Sequence, residues 1–263
     1  MNAVILGYGV VGKGIEILAK TLDDINIKYV YVRKEKENLP YFSNNEDMVV
    51  QDDIDIVFEC LNGLEPANTL IQKALKKGKH VISSNKAVVA TYLDTYLELE
   101  EEYGGSIQVE ACVAGGIPFI DALLKLKRLE PLQGYEGIFN GTSNYILDSM
   151  QKNNLDFEDV LKEAQDKGYA EKDPSNDIDG VDVYYKTKIS NSLAFNTPIV
   201  DIPYYAGIRT IKMLDIKFIK MNNKVIRHLS ISRQSITLVS DATASTMSGS
   251  PVRAYVSANT CPG

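Results

Sequence analysis

Residues 7–12 read Gly7-Tyr8-Gly9-Val10-Val11-Gly12, a G-x-G-x-x-G run set directly after the apolar segment Ala3–Leu6 and directly before the amphipathic segment Val10–Leu22. That placement constrains the chain more than any other feature. Between a strand and a helix, the first glycine permits the tight turn, the second lets a pyrophosphate approach the backbone, and the third lets helix and strand pack closely. The helix start then offers free N–H groups and a positive dipole end to phosphates. Gly7, Gly9, Val10, Val11 and Gly12 are therefore the candidate dinucleotide contacts. The alternative is a plain βα turn that binds nothing.

The segments that follow keep the same alternation. Short β-branched strands are expected at Lys28–Val32, Asp55–Glu59, His80–Ser83 and Ser106–Glu110, and helical spacing of apolar residues at Pro66–Lys77 and Val88–Tyr103. Gly78 and Gly104-Gly105 stand where helices would stop. Strands alternating with helices imply βαβ units and a parallel sheet. After Pro131 the rhythm changes. Tyr135–Phe139 reads as a strand, and Asn144–Lys152, Phe157–Lys167 (with Asp156 as its N-cap) and Val181–Phe195 read as helices. Residues 199–229 are mixed and short-stranded. The expected fold is α/β: a Rossmann-type doubly wound parallel sheet over 1–131, followed by a mixed α+β catalytic and dimerisation domain over 132–229. The Ser-, Thr- and Ala-rich segment 230–263 reads either as a return that completes the first domain or as a frayed tail.

The second strand runs Tyr29-Val30-Tyr31-Val32 into Arg33-Lys34, with no acid at its end. Two cations there suit a ribose 2′-phosphate, so NADP is the expected cofactor. If Arg33 and Lys34 are instead a solvated loop pair, NAD fits as well, and Glu35 stands close by. The net charge of −7 comes without a sustained basic stripe, which argues against nucleic acid as the main partner. No apolar run approaches the ~20 residues of a membrane span. The first ten residues lack the basic region of a secretory leader. Cys60, Cys112 and Cys261 form neither a disulfide framework nor a zinc pattern, which suits a reducing cytoplasm.

Carboxylates at positions 171, 173, 177, 179 and 182 crowd twelve residues, and like charges so close repel unless cations answer them. A substrate ammonium and Lys186 would do so. Asp182 and Lys186 are i and i+4 on one helix face. The plainer readings are an acidic solvated loop and a surface ion pair contributing about 0.3–0.5 kcal/mol.

The whole stretch has a recognisable order: Ala164, Gly168-Tyr169-Ala170, Asp173-Pro174, Asp177-Ile178-Asp179-Gly180, then Asp182 four residues before Lys186. Upstream come Ser84-Asn85-Lys86-Ala87, a run from Glu110 to Pro118, and Asn140-Gly141-Thr142-Ser143-Asn144-Tyr145-Ile146-Leu147. From Met1 to about Asp215 the chain resembles the homoserine dehydrogenase family. The resemblance implies NAD(P)-dependent interconversion of L-homoserine and L-aspartate 4-semialdehyde, a step shared by threonine and methionine synthesis, in a cytoplasmic homodimer.

It also implies roles. Lys186 and Lys86 would flank the reacting carbon, with Lys186 moving the proton, Lys86 assisting electrostatically, and Asp182 orienting the substrate. The opposite lysine assignment is open. Glu171 and Asp177 would hold the amino-acid substrate near Tyr169, Thr142 and Gly141. Asn85 and Lys86 would meet the cofactor. Glu110 with the carbonyls of Val113, Gly115 and Ile117 would match a monovalent-cation site for Na+ or K+, whose oxygen-only ligands suit a hard ion. Its alternative is a tight loop with Glu110 hydrogen-bonded internally. Ala114 stands where many relatives carry glycine.

Two other functions compete. One is a thiol-dependent semialdehyde dehydrogenase using Cys112, which needs an activated thiolate beside a base such as His80 or His228. The other is a short, catalytically impaired form that binds nucleotide only, suggested by a length below that of typical family members. Neither a fused kinase module nor a regulatory amino-acid-binding module is expected at this length.

Overall fold

The structure, a computed structural model, describes residues 1–32, 42–129, 132, 134–199, 206–216 and 230–232. The chain divides into two compact units, Met1–Ile120 and Asp121–Gly263. Arg33 and Lys34 lie outside the described residues.

In the first unit, β1 (Asn2–Leu6), β2 (Asn26–Tyr31), β3 (Phe42–Ser43), β4 (Ile56–Glu59), β5 (His80–Ser83) and β6 (Ser106–Gln108) form one sheet. Its order is β3-β2-β1-β4-β5-β6, and the paired strands are parallel throughout. This is the doubly wound order expected of the alternating pattern. Ala3, Val4, Ile5 and Leu6 are all fully buried. Consecutive buried residues are what a strand covered on both faces requires. The connecting helices are α1 (Val10–Ala19), α2 (Ala67–Leu75) and α3 (Lys86–Tyr103), which bury Leu70, Ile71, Leu75, Leu93 and Tyr96.

Several boundaries differ from expectation for local reasons. Helix α1 stops at Ala19 rather than Leu22. The Thr21 and Leu22 N–H groups bond the Leu18 and Ala19 carbonyls, and the Thr21 hydroxyl also takes the Leu18 carbonyl. Three-residue bonding tightens the turn and ends the helix. Strand β6 ends at Gln108, where its register with β5 ends, and Glu110–Cys112 turns away as a 3-10 helix. Helix α3 begins at Lys86 because the Asn85 side chain accepts the Val88 N–H at 3.3 Å and caps it.

The second unit holds α4 (Phe119–Leu129, begun in the last two residues of the first unit), β7 (Tyr135–Gly137), α5 (Gly141–Asn153), α6 (Phe157–Asp166), α7 (Ser175–Ile178), α8 (Val181–Phe195) and β8 (Ser230–Ser232). The reading from sequence assigned no element to 111–131, so α4 is an addition. Pro118 before an amphipathic run was its available signal. Asp156 occupies the N-cap position of α6, but its side chain makes no capping bond. Strands β7 and β8 pair antiparallel, so Ser230–Ser232 join the second unit. The remainder of 230–263 lies outside the described residues. The core here is Ile146, Leu147, Met150, Phe157, Val160, Ile178, Ile208 and Ile216.

Candidate functional site

The nucleotide turn is built as its glycines demand. Gly7 sits at φ 97°, and a Cβ there would lie 2.8 Å from the Cys60 carbonyl oxygen. A Cβ on Gly12 would lie 2.1 Å from the Gly7 carbonyl oxygen, so only glycine lets α1 close onto the turn. Gly9 is different: nothing lies within 4 Å of a Cβ there. That open space faces the start of α1, where no side chain caps the helix and Val10 is 91% exposed. An uncapped helix start beside an open glycine fits a phosphate. Tyr8 is pinned back, its hydroxyl donating to buried Glu16 and its ring edge-on to Phe42 at 4.7 Å.

At the end of β5, Asn85 is buried, and its amide is engaged by Val88 N–H, the Gly63 carbonyl at 2.8 Å and Glu59. Lys86 follows as the first residue of α3. Glu110 places Oε1 3.0 Å from the Ile120 N–H, and the Ile117 carbonyl accepts the Phe119 N–H at 2.7 Å. The loop between them carries Ala114 at φ 54°, so the residue that replaces glycine adopts the left-handed conformation. Among the described residues no cluster of three His, Cys, Asp or Glu side chains could hold a metal, so a cation at this loop would depend on backbone carbonyls.

Cys112 corrects the thiol reading. It is buried, its sulfur donates to the Ser83 carbonyl at 3.2 Å, and burial pushes its thiol far above the ordinary range. Cys60 is likewise pushed up to about 11 by burial. An activated nucleophile needs the opposite shift. His80 instead bonds Ser106 at 2.9 Å, and His228 lies outside the described residues.

In the second unit part of the sequence motif, Asp177, Asp182 and Lys186, comes together in a half-buried cluster around buried Asp182. The Lys186 ammonium lies 2.7 Å from Asp182 Oδ2 and donates to the Phe139 carbonyl at 2.6 Å. Their side chains are 15% and 3% exposed, so the pair is largely withdrawn from solvent rather than a surface ion pair. Asn140 completes the cluster. Its amide nitrogen donates to Asp177 Oδ1 at 2.7 Å and Asp182 Oδ2 at 2.9 Å, while its oxygen accepts the Ser143 N–H at 2.8 Å. That last bond caps α5, so the helix starts at Gly141 rather than Asn144, and Gly141 and Thr142 fall in its first turn. The Thr142 hydroxyl donates to the Tyr169 carbonyl at 2.9 Å. Tyr169 is 58% exposed and packs against Tyr145 at 4.7 Å. Glu171 is exposed, with its backbone carbonyl held by Gln165.

The crowded acids are answered largely from within. Arg209 grips Asp179 with two bonds of 2.6 and 2.7 Å, holding that carboxyl below its usual range. Ser175 does the same for Asp173 through its hydroxyl at 2.7 Å and its N–H. Asn140, Phe139 and Arg209 carried no role in the sequence reading. Asn140 had a weak signal, since Asn is a preferred N-cap residue, but the sequence reading began that helix at Asn144. Arg209 had none, because it lies in the stretch 199–229 that reads only as mixed and short-stranded.

A parallel 3-2-1-4-5-6 sheet with this glycine turn defines the first unit as a dinucleotide-binding Rossmann domain. Comparison with known proteins agrees and narrows the class. The family model described as homoserine dehydrogenase, NAD binding domain, matches residues 7–110, and that described as homoserine dehydrogenase matches residues 118–259. The chain belongs to the homoserine dehydrogenase family. It is 39% identical over 244 residues to the homoserine dehydrogenase of Synechocystis sp., covering 87% of this chain and 56% of that one. The crystal structure of a homoserine dehydrogenase from Thiobacillus denitrificans superposes with a TM-score of 0.81 at 35% identity, covering 90% of this chain and 58% of that one. A hyperthermophilic archaeal homoserine dehydrogenase solved in complex with NADPH matches at 0.70 and 26% identity, over 80% of this chain and 74% of that one. The chain thus spans little more than half the length of the Synechocystis and Thiobacillus relatives. Among the described residues no helix is long and apolar enough to cross a membrane.

Proposed function

We propose that this chain is a homoserine dehydrogenase, interconverting L-homoserine and L-aspartate 4-semialdehyde in amino-acid biosynthesis. The observation that carries this reading is the buried Lys186–Asp182 pair, joined through Asn140 to Asp177, within a family match that covers both units. Such a pair has little value as surface decoration and costs desolvation to build, which supports a chemical role.

When bound, a nicotinamide cofactor would supply the hydride chemistry. The residues do the rest. Reduction of the aldehyde builds negative charge on its oxygen, which the Lys186 ammonium stabilises and to which it gives a proton. In the other direction Lys186 takes the hydroxyl proton. Asp182 holds the ammonium in place, and Lys86 adds positive charge. Glu171 and Asp177 bind the substrate's amino and hydroxyl ends, with Tyr169, Thr142 and Gly141 as neighbours. Gly7, Gly9, Val10, Val11, Gly12, Asn85 and Lys86 receive the cofactor, and Arg33 and Lys34 its 2′-phosphate, giving a preference for NADP over NAD. Glu110 and the carbonyls of Val113, Gly115 and Ile117 would hold a Na+ or K+ ion, whose preference for oxygen ligands they match. The active form is a cytoplasmic homodimer, with the first unit as the nucleotide domain and the second as the catalytic and dimerisation domain.

The test is absorbance at the reduced-nicotinamide band with homoserine and each cofactor. Homoserine-dependent reduction, faster with NADP, is the expected result. No reduction with either cofactor, by a folded chain, would overturn the reading.

A further inference from the structure

Glu59 ends β4 with none of its surface exposed. Burying a carboxylate is costly unless donors answer it. Three neutral donors do so here. The Leu61 N–H donates to Oε1 at 2.8 Å, the Ser83 hydroxyl to Oε2 at 2.6 Å, and the Asn85 amide to Oε1 at 3.5 Å. The Ser83 hydroxyl in turn accepts the Asn85 N–H at 3.1 Å. Asn85 reaches on to the Gly63 carbonyl and to the first turn of α3. The Glu59 backbone carbonyl accepts the Ser84 N–H at 3.0 Å. One side chain therefore ties together the end of β4, the loop at 61–63, the end of β5 and the start of α3.

The nucleotide turn rests against the same strand end. The Cys60 N–H donates to the Leu6 carbonyl at 2.8 Å, and the Cys60 carbonyl is the atom that a Cβ on Gly7 would strike. In sheets of this kind dinucleotides bind outside the carboxyl ends of the strands. No step of the proposed chemistry uses Glu59, yet a carboxylate stands at the end of β4 beside Ser83, where the pair two residues earlier, Val57 and Val81, is apolar and buried.

We propose that Glu59 is a positioning residue for the nicotinamide nucleotide, holding the loops at the carboxyl edge of the sheet in the shape that receives it. The inference rests on the nucleotide-dependent reading of the preceding subsection.

The test titrates NADPH into the full chain and follows its fluorescence, for wild type, Glu59→Gln and Ser83→Ala. Glutamine replaces one acceptor oxygen with a donor and leaves a buried partner unpaired. The NADPH Kd should rise about tenfold in Glu59→Gln and about threefold in Ser83→Ala. In the homoserine assay the nucleotide KM should rise with it, while the homoserine KM stays within about twofold. A merely structural role would reduce the folded fraction, lowering kcat and leaving both Michaelis constants alone. That pattern, or an NADPH Kd near the wild-type value in both variants, overturns the proposal. If Glu59→Gln does not fold, Ser83→Ala decides. If wild type binds NADPH but does not oxidise homoserine, the functional reading fails, and the shift in NADPH affinity alone still decides the role of Glu59.

Discussion

The Lys186 ammonium and the Asp182 carboxylate meet at 2.7 Å one helical turn apart on α8, with both side chains withdrawn from water. A pair of this kind is held by its neighbours. Phe139 supplies a carbonyl to the cation, and Asn140 an amide to the anion.

Removing the cation should cost more than activity. Lys186→Met takes the cation away from a buried carboxylate that the Asn140 amide also touches, and should destabilise the fold by about 3 kcal/mol. The double variant Lys186→Met/Asp182→Leu should recover most of that loss. Urea denaturation of both variants measures it, and NADPH titration should show near-normal affinity while homoserine oxidation is abolished. Equal stability of the two variants would show that the pair is not buried as described.

Asn140 carries two separable loads, the α5 cap and the bridge between Asp177 and Asp182. Asn140→Ser keeps a capping oxygen and loses the bridge, whereas Asn140→Ala loses both. Ser should therefore be the more stable by about 1 kcal/mol. Both should lose homoserine kcat/KM by about tenfold or more, since buried Asp182 and half-buried Asp177 each lose a donor. Thermal melts and steady-state kinetics separate the two effects.

The glycine turn gives a contrast between neighbours. Gly9→Ala places its methyl in open space, so melting should be unchanged while NADPH affinity falls. Gly12→Ala drives a methyl to 2.1 Å from the Gly7 carbonyl oxygen, so the fold itself should suffer by several kcal/mol, on the order of a severe core clash. Calorimetry beside nucleotide titration reads both. Tight NADPH binding by Gly9→Ala would count against a phosphate at that site.

Ala114 sits at φ 54°, where a Cβ costs roughly 1–2 kcal/mol. Glycine removes that cost but frees the unfolded chain by about 0.4–1 kcal/mol. Ala114→Gly should therefore stabilise the protein by about 0.5–1 kcal/mol, seen as a higher midpoint in urea. A lower midpoint would show that the methyl packs usefully.

Burial pushes the Glu59 carboxyl above its usual range, against three bonds that pull it down. The folded state then holds its proton to higher pH than the unfolded state. Its contribution to stability is present below the ordinary glutamate pKa and is lost as pH rises through the raised value. The ionisable groups beside it, Cys60, Cys112 and Tyr96, are themselves pushed upward by burial and stay neutral across that window. Denaturation of wild type and Glu59→Gln at successive pH values should show a declining difference that the variant lacks. Parallel curves would place the Glu59 pKa at its ordinary value.

Alternation of apolar strands with amphipathic helices, and three glycines at fixed spacing, were enough to determine the parallel sheet and its nucleotide turn. Both are local in sequence, and the backbone geometry they require leaves few options. The second unit was legible as a motif but not as an arrangement. Asp182 and Lys186 could be placed on one face by helical spacing, yet whether that face met water or protein depended on Phe139 and Asn140, more than forty positions away. The same holds for Arg209 on Asp179, for Cys112 turned inward onto Ser83, and for Glu59. Spacing along a chain sets which side chains share a face. Burial, and with it the strength of every charge and hydrogen bond, is set by what packs against that face, and only the tertiary structure decides that.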